Sequence, residues 1–161
     1  RASPRENQAA GADSATVAAM RAIVIYESLT GNTAKAGHMI ADELSAAGVE
    51  ATACPITAID LQALSESDLV VVGSWTDGLI LFGQRPGRIG RLAKLPVIDG
   101  KTAAVYCTYA IEKGKTLEKL TGIVSRRGGN VVGGMAIKRN NLAGGASEFV
   151  DRLLGALEKT N

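Results

Sequence analysis

Short runs of consecutive aliphatic residues recur along the chain and are separated by stretches in which apolar residues have helical spacing. The runs lie at 22–26, 69–73 and 102–106, with a weaker one at 130–137. Unbroken apolar runs of this length are typical of parallel strands that are covered on both faces. Residues 49–54 (VEATAC) alternate instead, which predicts a more exposed strand at the edge of the sheet.

Helical patterns fill the intervals between these runs. The spacing predicts helices at 32–47, 86–95 and 116–127, a short one within 57–67, and a last helix that Ser147 could cap. Strands and helices therefore alternate. This order predicts an α/β fold, a three-layer doubly wound sheet of five parallel strands in the order 2-1-3-4-5. Ligands bind such sheets at the carboxyl ends of the strands, which directs attention to the loops at 27–33, 74–87 and 108–115.

Residues 1–19 differ from the rest, because a valine is their only large aliphatic residue. Such a segment cannot bury enough surface to offset its ordering entropy. We expect a disordered leader or a non-natural remnant there, followed by one domain over 20–161. The segment lacks the apolar core of a signal peptide, which predicts a cytoplasmic protein.

The amino-acid composition excludes several kinds of protein and of functional site. The 161 residues are 46% hydrophobic and 21% charged, with a net charge of +2, which is too weak to indicate nucleic acid. No apolar run approaches the roughly 20 residues of a membrane span. Two cysteines and one histidine exclude a disulfide scaffold and the usual zinc sites. We therefore expect no metal and no catalytic side chain, and chemistry that rests on a cofactor or on backbone groups.

The first loop, residues 27–33 (ESLTGNT), leads from the first strand into a helix. Amides of such a turn bind phosphate without a basic side chain, and Gly31 permits close approach. Neither the Walker A spacing nor GxGxxG is present. The alternative is an ordinary turn in which Thr30 or Asn32 caps the helix.

Residues 25–33 resemble the FMN phosphate signature of the flavodoxin family, and the order and length of elements from residue 21 onward fit that family. Gly37 departs from it, since flavodoxins usually carry alanine there. The resemblance implies that this loop holds the FMN phosphate through its amides and hydroxyls, with these residues: Ser28, Leu29, Thr30, Gly31, Asn32 and Thr33.

In flavodoxins the second loop carries an aromatic side chain that stacks on the flavin. Here residues 73–78 read GSWTDG, so Asp77 takes the place of that aromatic and Trp75 lies two positions earlier. Either Trp75 covers one flavin face, or it packs in the core or rim and leaves that face open. The remaining candidates of this loop are Ser74, Thr76 and Gly78.

In the third loop, Tyr109 resembles the second stacking aromatic, and backbone groups from Thr108 to Gly114 would meet the pyrimidine edge of the flavin. Alternatively, Tyr109 packs on its own loop. Cys107 has no cysteine or histidine near it in sequence, which favours a buried structural thiol. His38 is expected to be structural rather than catalytic.

Basic residues recur every third position after the second loop and predict one flank of a helix: Arg85, Arg88, Arg91 and Lys94. The flank is either a solvated face or a surface for an acidic redox partner, and Lys138 and Arg139 could extend it. Flavodoxins are typically acidic, so this charge departs from the family.

The resemblance implies an FMN-binding protein of electron transfer, more an electron carrier than a stand-alone enzyme, and a monomer or weak dimer. Two alternatives remain open. One is a binding module of the same fold with weak or no flavin binding, which Asp77 favours. The other is a small FMN-dependent NAD(P)H reductase.

Overall fold

A computed structural model describes residues 19–77, 85–86, 89–111 and 114–160. Of the predicted leader, residues 1–18 lie outside this part of the chain, as does Gly78 of the second loop. Among the described residues, no helix has the length and apolarity needed to cross a membrane.

Five parallel strands form the sheet: β1 (Arg21–Tyr26), β2 (Glu50–Pro55), β3 (Leu69–Asp77), β5 (Thr102–Tyr109) and β6 (Asn130–Lys138). Their order is β2-β1-β3-β5-β6, and the two-residue strand β4 (Arg85–Pro86) pairs antiparallel with the end of β3. Counted without β4, this is the predicted order 2-1-3-4-5, which is confirmed. The alternating strand β2 lies at the edge, as its pattern indicated.

Helices cover both faces of the sheet: α1 (Asn32–Ala46), α2 (Leu61–Glu66), α3 (Ile89–Leu92), α4 (Thr116–Arg126) and α5 (Leu142–Thr160). Helices α1 and α5 pack against one face, while α2, α3 and α4 bury apolar side chains against the other. Successive strand residues therefore alternate between two cores, with Val24 and Val71 in one and Ile23 and Val70 in the other. This double coverage explains why the strands are continuously apolar.

Two helix boundaries differ from the sequence prediction. The helix expected at 86–95 is only Ile89–Leu92, and Pro86 pairs with Thr76 instead. Glycines at 87 and 90 disfavour a longer helix, and a proline is tolerated in a short edge strand.

Ser147 is not a cap, because α5 already begins at Leu142. Glycine disfavours helix, so the residues at 144 and 145 kept the sequence pattern from predicting the first turn of α5. A Cβ at Gly145 would overlap the side chain of Ile137, so the small residue lets the helix approach β6 closely. Tertiary packing here outweighs helix propensity.

The Tyr106 side chain connects the middle of the sheet to α1. It is fully buried, and its phenol donates a 2.8 Å hydrogen bond to the carbonyl oxygen of Thr33 in the first turn of α1. Gly73 on the neighbouring strand makes room for the ring, since a Cβ there would overlap it, and a Cβ at Gly37 would lie 2.7 Å from the phenol oxygen. Burial, with a smaller contribution from Tyr26, raises the pKa of Tyr106 well above 10.0 and keeps it a donor.

Strand β6 forms the other edge of the sheet in the described part of the chain. Its register with β5 shifts between Ala103 and Ala104, which pair with Val131 and Gly133. Val132 is thus the extra residue of a β-bulge. The adjacent Gly133 and Gly134 are exposed.

We expect Gly73→Ala to lower the free energy of unfolding by about 1–3 kcal/mol, the usual cost of forcing extra volume into a packed core. The new methyl group would overlap the Tyr106 ring, which lies at the rigid end of a fully buried side chain. Urea denaturation measures the change.

Gly133→Ala is the matched control, because that glycine also lies in a strand and a Cβ there meets nothing within 4 Å. It should change stability by less than about 0.5 kcal/mol. Equal losses in the two variants would show that strand backbone, and not the Tyr106 contact, sets the cost.

Candidate functional site

The carboxyl ends of β1, β3 and β5 converge on one cleft of about 160 Å³. Eight of its described lining residues were predicted from the sequence as cofactor-binding residues: Leu29, Thr30, Asn32, Thr33, Trp75, Thr76, Thr108 and Tyr109. Ala110 and Arg139 complete the described lining. The structure thus brings the three loops together at the position expected for an open α/β sheet.

Helix α1 begins at this cleft without a side-chain cap. Its N-cap residue is Gly31, with a φ of 97°, and no side chain accepts a hydrogen bond from the amides of the first turn. The alternative in which Thr30 or Asn32 caps the helix is therefore wrong. The first intrahelical bond runs from the Lys35 amide to the Gly31 carbonyl, so the preceding first-turn amides have no partner within the helix.

Hydrogen bonds fix the shape of the first loop and join it to the third. The Gly31 amide donates to Oγ of Ser28 at 3.2 Å. Thr33 and Thr108 share a buried hydrogen bond of 2.7 Å between their hydroxyl oxygens. Ser28 and Gly31 therefore shape the loop, while the Thr33 hydroxyl is already bound to the end of β5.

In the second loop, Trp75 is half-buried and lines the cleft. Thr76 accepts a 3.2 Å hydrogen bond from the Thr116 hydroxyl at the start of α4. Ser74 is fully buried and does not line the cleft. The backbone of Asp77 pairs with Arg85 in β4, while its side chain lies outside the described part of the structure.

In the third loop, Tyr109 is half-buried and reaches the same cleft as Trp75. Gly114 does not line the cleft. It is exposed and has a φ of 50° in the turn before α4. Cys107 is buried in β5, as expected of a structural thiol. His38 is exposed on α1 and contacts the Tyr26 phenol at 3.3 Å, outside the described lining of the cleft.

The sequence prediction of the site omitted Arg139, which it placed only in a positive rim. Arg139 begins a 3-10 turn (Arg139–Asn141) directly after β6. Lys138 before it pairs with Tyr109, so the end of β6 stands beside the third loop. The signal that could have indicated Arg139 is its position at the carboxyl end of the neighbouring strand.

A partly buried ion pair lies at the start of the first loop. Glu27 directly follows β1 and has a side chain that is 3% exposed, and its Oε1 lies 3.3 Å from Nη1 of Arg91 in α3. The Glu27 amide also donates to the Gly73 carbonyl at 3.0 Å. The pair ties α3 to the base of the loop and compensates the charge of Arg91 within the protein.

The basic residues predicted on one helical flank do not share a helix. Arg85 lies in β4, Arg91 in α3 and Lys94 in the turn after α3, while Arg88 lies outside the described residues. The prediction that these basic residues form one flank of a helix is therefore wrong, because α3 is a single turn.

The sequence over residues 23–115, more than half of the chain, matches the family model of the Flavodoxin domain. The chain therefore belongs to the flavodoxin family. Among curated protein sequences, none matches it significantly.

Solved structures share this fold at low sequence identity. A cysteine-to-serine mutant of the flavodoxin from Pseudomonas aeruginosa is 20% identical with a TM-score of 0.67, covering 86% of this chain and 99% of that one. The Streptococcus pneumoniae TIGR4 flavodoxin is 20% identical with a TM-score of 0.64, covering 84% and 98%. A flavodiiron core from Synechocystis sp. PCC6803 is 19% identical with a TM-score of 0.61, covering 88% of this chain but 37% of that one.

We expect Arg91→Met to lower the free energy of unfolding by about 1–2 kcal/mol, because Glu27 would lose a charged partner while its carboxylate stays buried. The value is at the low end for buried pairs, since the Arg91 side chain is 50% exposed and solvent screens it. Urea denaturation at neutral pH measures the loss.

Lys94→Met removes the same charge from an exposed residue for which the described structure shows no ion pair. It should change stability by less than about 0.5 kcal/mol. If the two variants lost the same stability, the Glu27–Arg91 pair would contribute nothing beyond a surface charge.

Proposed function

We propose that this protein binds FMN in the cleft at the carboxyl ends of β1, β3 and β5 and acts in electron transfer. One observation carries the proposal. The uncapped N-terminus of a 15-residue helix opens into a cleft that Trp75 and Tyr109 also line. Free amides suit a phosphate, and aromatic side chains suit a planar ring system. Membership of the flavodoxin family supports the same assignment.

The donors in the first loop fit a phosphate group. A helix N-terminus carries a partial positive charge of about +0.5, and no acidic residue lies in the first turn of α1 to neutralise it. The side chain of Thr30 is exposed and free of any other described bond, so its hydroxyl can add a donor. A phosphate would take the place that a capping side chain takes in other helices.

The aromatic side chains fit the other part of the ligand. Trp75 lies near the carboxyl end of β3 and Tyr109 ends β5, and both are half-buried at the cleft. We infer that Trp75 covers one face of the flavin although Asp77 occupies the usual aromatic position. The bound flavin supplies the electron-transfer chemistry, while the chain binds and orients it.

The size of the described cleft favours a partly exposed ligand. Sites that enclose drug-sized ligands have about 300–1,000 Å³, against about 160 Å³ here. A cofactor held at one end with an open edge suits direct electron exchange with another protein. We propose a cytoplasmic location and an acidic partner protein, for which exposed Lys94 offers a described positive charge beside Arg91.

FMN titration of the purified protein tests the function. We expect the wild type to quench FMN fluorescence at micromolar concentrations. Thr30→Glu should abolish this quenching, because a carboxylate beside the α1 N-terminus would repel the phosphate and occupy its position.

Ser45→Glu is the matched control, since it adds the same charge to an exposed residue at the far end of α1. It should bind FMN like the wild type. Absence of quenching by the wild type at tens of micromolar FMN would instead favour a binding module of the same fold. Unchanged binding by Thr30→Glu would refute the phosphate assignment.

Trp75→Ala tests the stacking contact separately. We expect it to weaken FMN binding by about 10-fold or more, because base–aromatic stacking contributes about 1–3 kcal/mol per ring. Trp75→Phe keeps an aromatic ring and should retain most of the affinity. If the alanine variant binds FMN as tightly as the wild type, Trp75 is a rim residue that leaves the flavin uncovered.

A further inference from the structure

The cleft contains one charged side chain among its described lining residues, and that side chain is Arg139. Thr30, Asn32 and Thr33 offer neutral donors, and Trp75 and Tyr109 offer rings. Because the cleft is small, a ligand that fills it and contacts the N-terminus of α1 also borders the guanidinium group of Arg139.

The charge of Arg139 is not compensated within the described structure. None of the carboxylates there forms an ion pair with it, whereas Arg21, Arg91 and Arg152 are all paired. Arg139 is exposed, so its guanidinium group is open to a ligand without first breaking an ion pair in the described structure. An anionic group on a ligand in the cleft would supply the opposite charge.

The position of Arg139 places it near α1. It lies in the 3-10 turn between β6 and α5, and α5 packs along α1 on the same face of the sheet. The α1 terminus and Arg139 thus approach the cleft from neighbouring elements. A guanidinium group binds phosphate oxygens through directed, charge-assisted hydrogen bonds, which backbone amides alone do not supply.

We propose that Arg139 is a ligand-binding residue that supplies the formal positive charge of the cleft and selects phosphate monoesters over their uncharged counterparts. This inference rests on the proposed function for the location of the phosphate. It adds that affinity depends on ionic strength, which a site of neutral donors would show only weakly.

Binding of FMN and of riboflavin, which lacks the phosphate, separates the two parts of the ligand. We expect Arg139→Gln to weaken FMN binding by about five- to tenfold, the effect of a partly screened charge-assisted contact. Riboflavin binding should stay within about twofold, since no anion is lost. The difference between wild type and Arg139→Gln should shrink at high salt.

Two variants serve as controls. Arg139→Lys keeps the charge and should retain most of the FMN affinity. Lys138→Gln removes the same charge from the adjacent exposed residue, which is not among the lining residues, and should bind FMN within about twofold of wild type. Circular dichroism establishes that each variant is folded.

The inference is overturned if Arg139→Gln leaves FMN binding unchanged, or if it weakens FMN and riboflavin equally. Should the wild type bind no FMN, the proposed function fails and inorganic phosphate becomes the probe. Amide shifts of residues 29–33 on phosphate addition that are lost in Arg139→Gln would support the anion site. No shifts in the wild type, or equal shifts in both proteins, would overturn it.

Discussion

The buried side chain of Tyr106 sets the distance between the sheet and the helix that carries the binding loop. Its ring lies over Gly73 of the neighbouring strand, and its hydroxyl reaches the Thr33 carbonyl in the first turn of α1. A buried phenol without a partner would be costly, so this hydrogen bond favours a position of α1 in which its first turn lies against the sheet. The Thr33–Thr108 bond adds a second connection at the same level. Gly37, which departs from the family pattern, is required because the phenol oxygen occupies the space of an alanine methyl group.

Much of the fold could be predicted because most strands are covered on both faces and therefore read as unbroken aliphatic runs. Helices α1 and α4 begin at their predicted residues and end one residue early, because their apolar stripes face a core. The helix boundaries were predicted wrongly where the local preference of a glycine or proline differs from the structure that its tertiary contacts stabilise. Close approach to Ile137 stabilises glycines at the start of α5, and Pro86 takes an edge pairing with Thr76. Local propensity alone does not contain these long-range contacts.

The candidate site was predictable as far as it depends on strand order. The three loops meet because their strands are neighbours in the sheet. The sequence of residues 27–33 by itself predicts a phosphate-binding loop. Contacts that depend on register or on distant partners were not predictable. Arg139 reaches the cleft because Lys138 pairs with Tyr109, and Arg91 is held by Glu27 across 64 positions. The sequence spacing predicted that the basic residues share one surface. In the structure, Arg91 forms an ion pair with Glu27, while Arg139 lines the cleft.

The bulge in β6 bears on how the edge of the sheet can pair with another strand. Strand β6 has nine residues and one charge, Lys138, at its end, so side-chain repulsion does little to discourage another strand from adding to this edge. The extra residue Val132 breaks the regular spacing of donors and acceptors and bends the strand. A regular ladder of hydrogen bonds does not continue past such a bulge. Irregularities of this kind are one of the ways in which natural proteins disfavour the pairing of an edge strand with another chain.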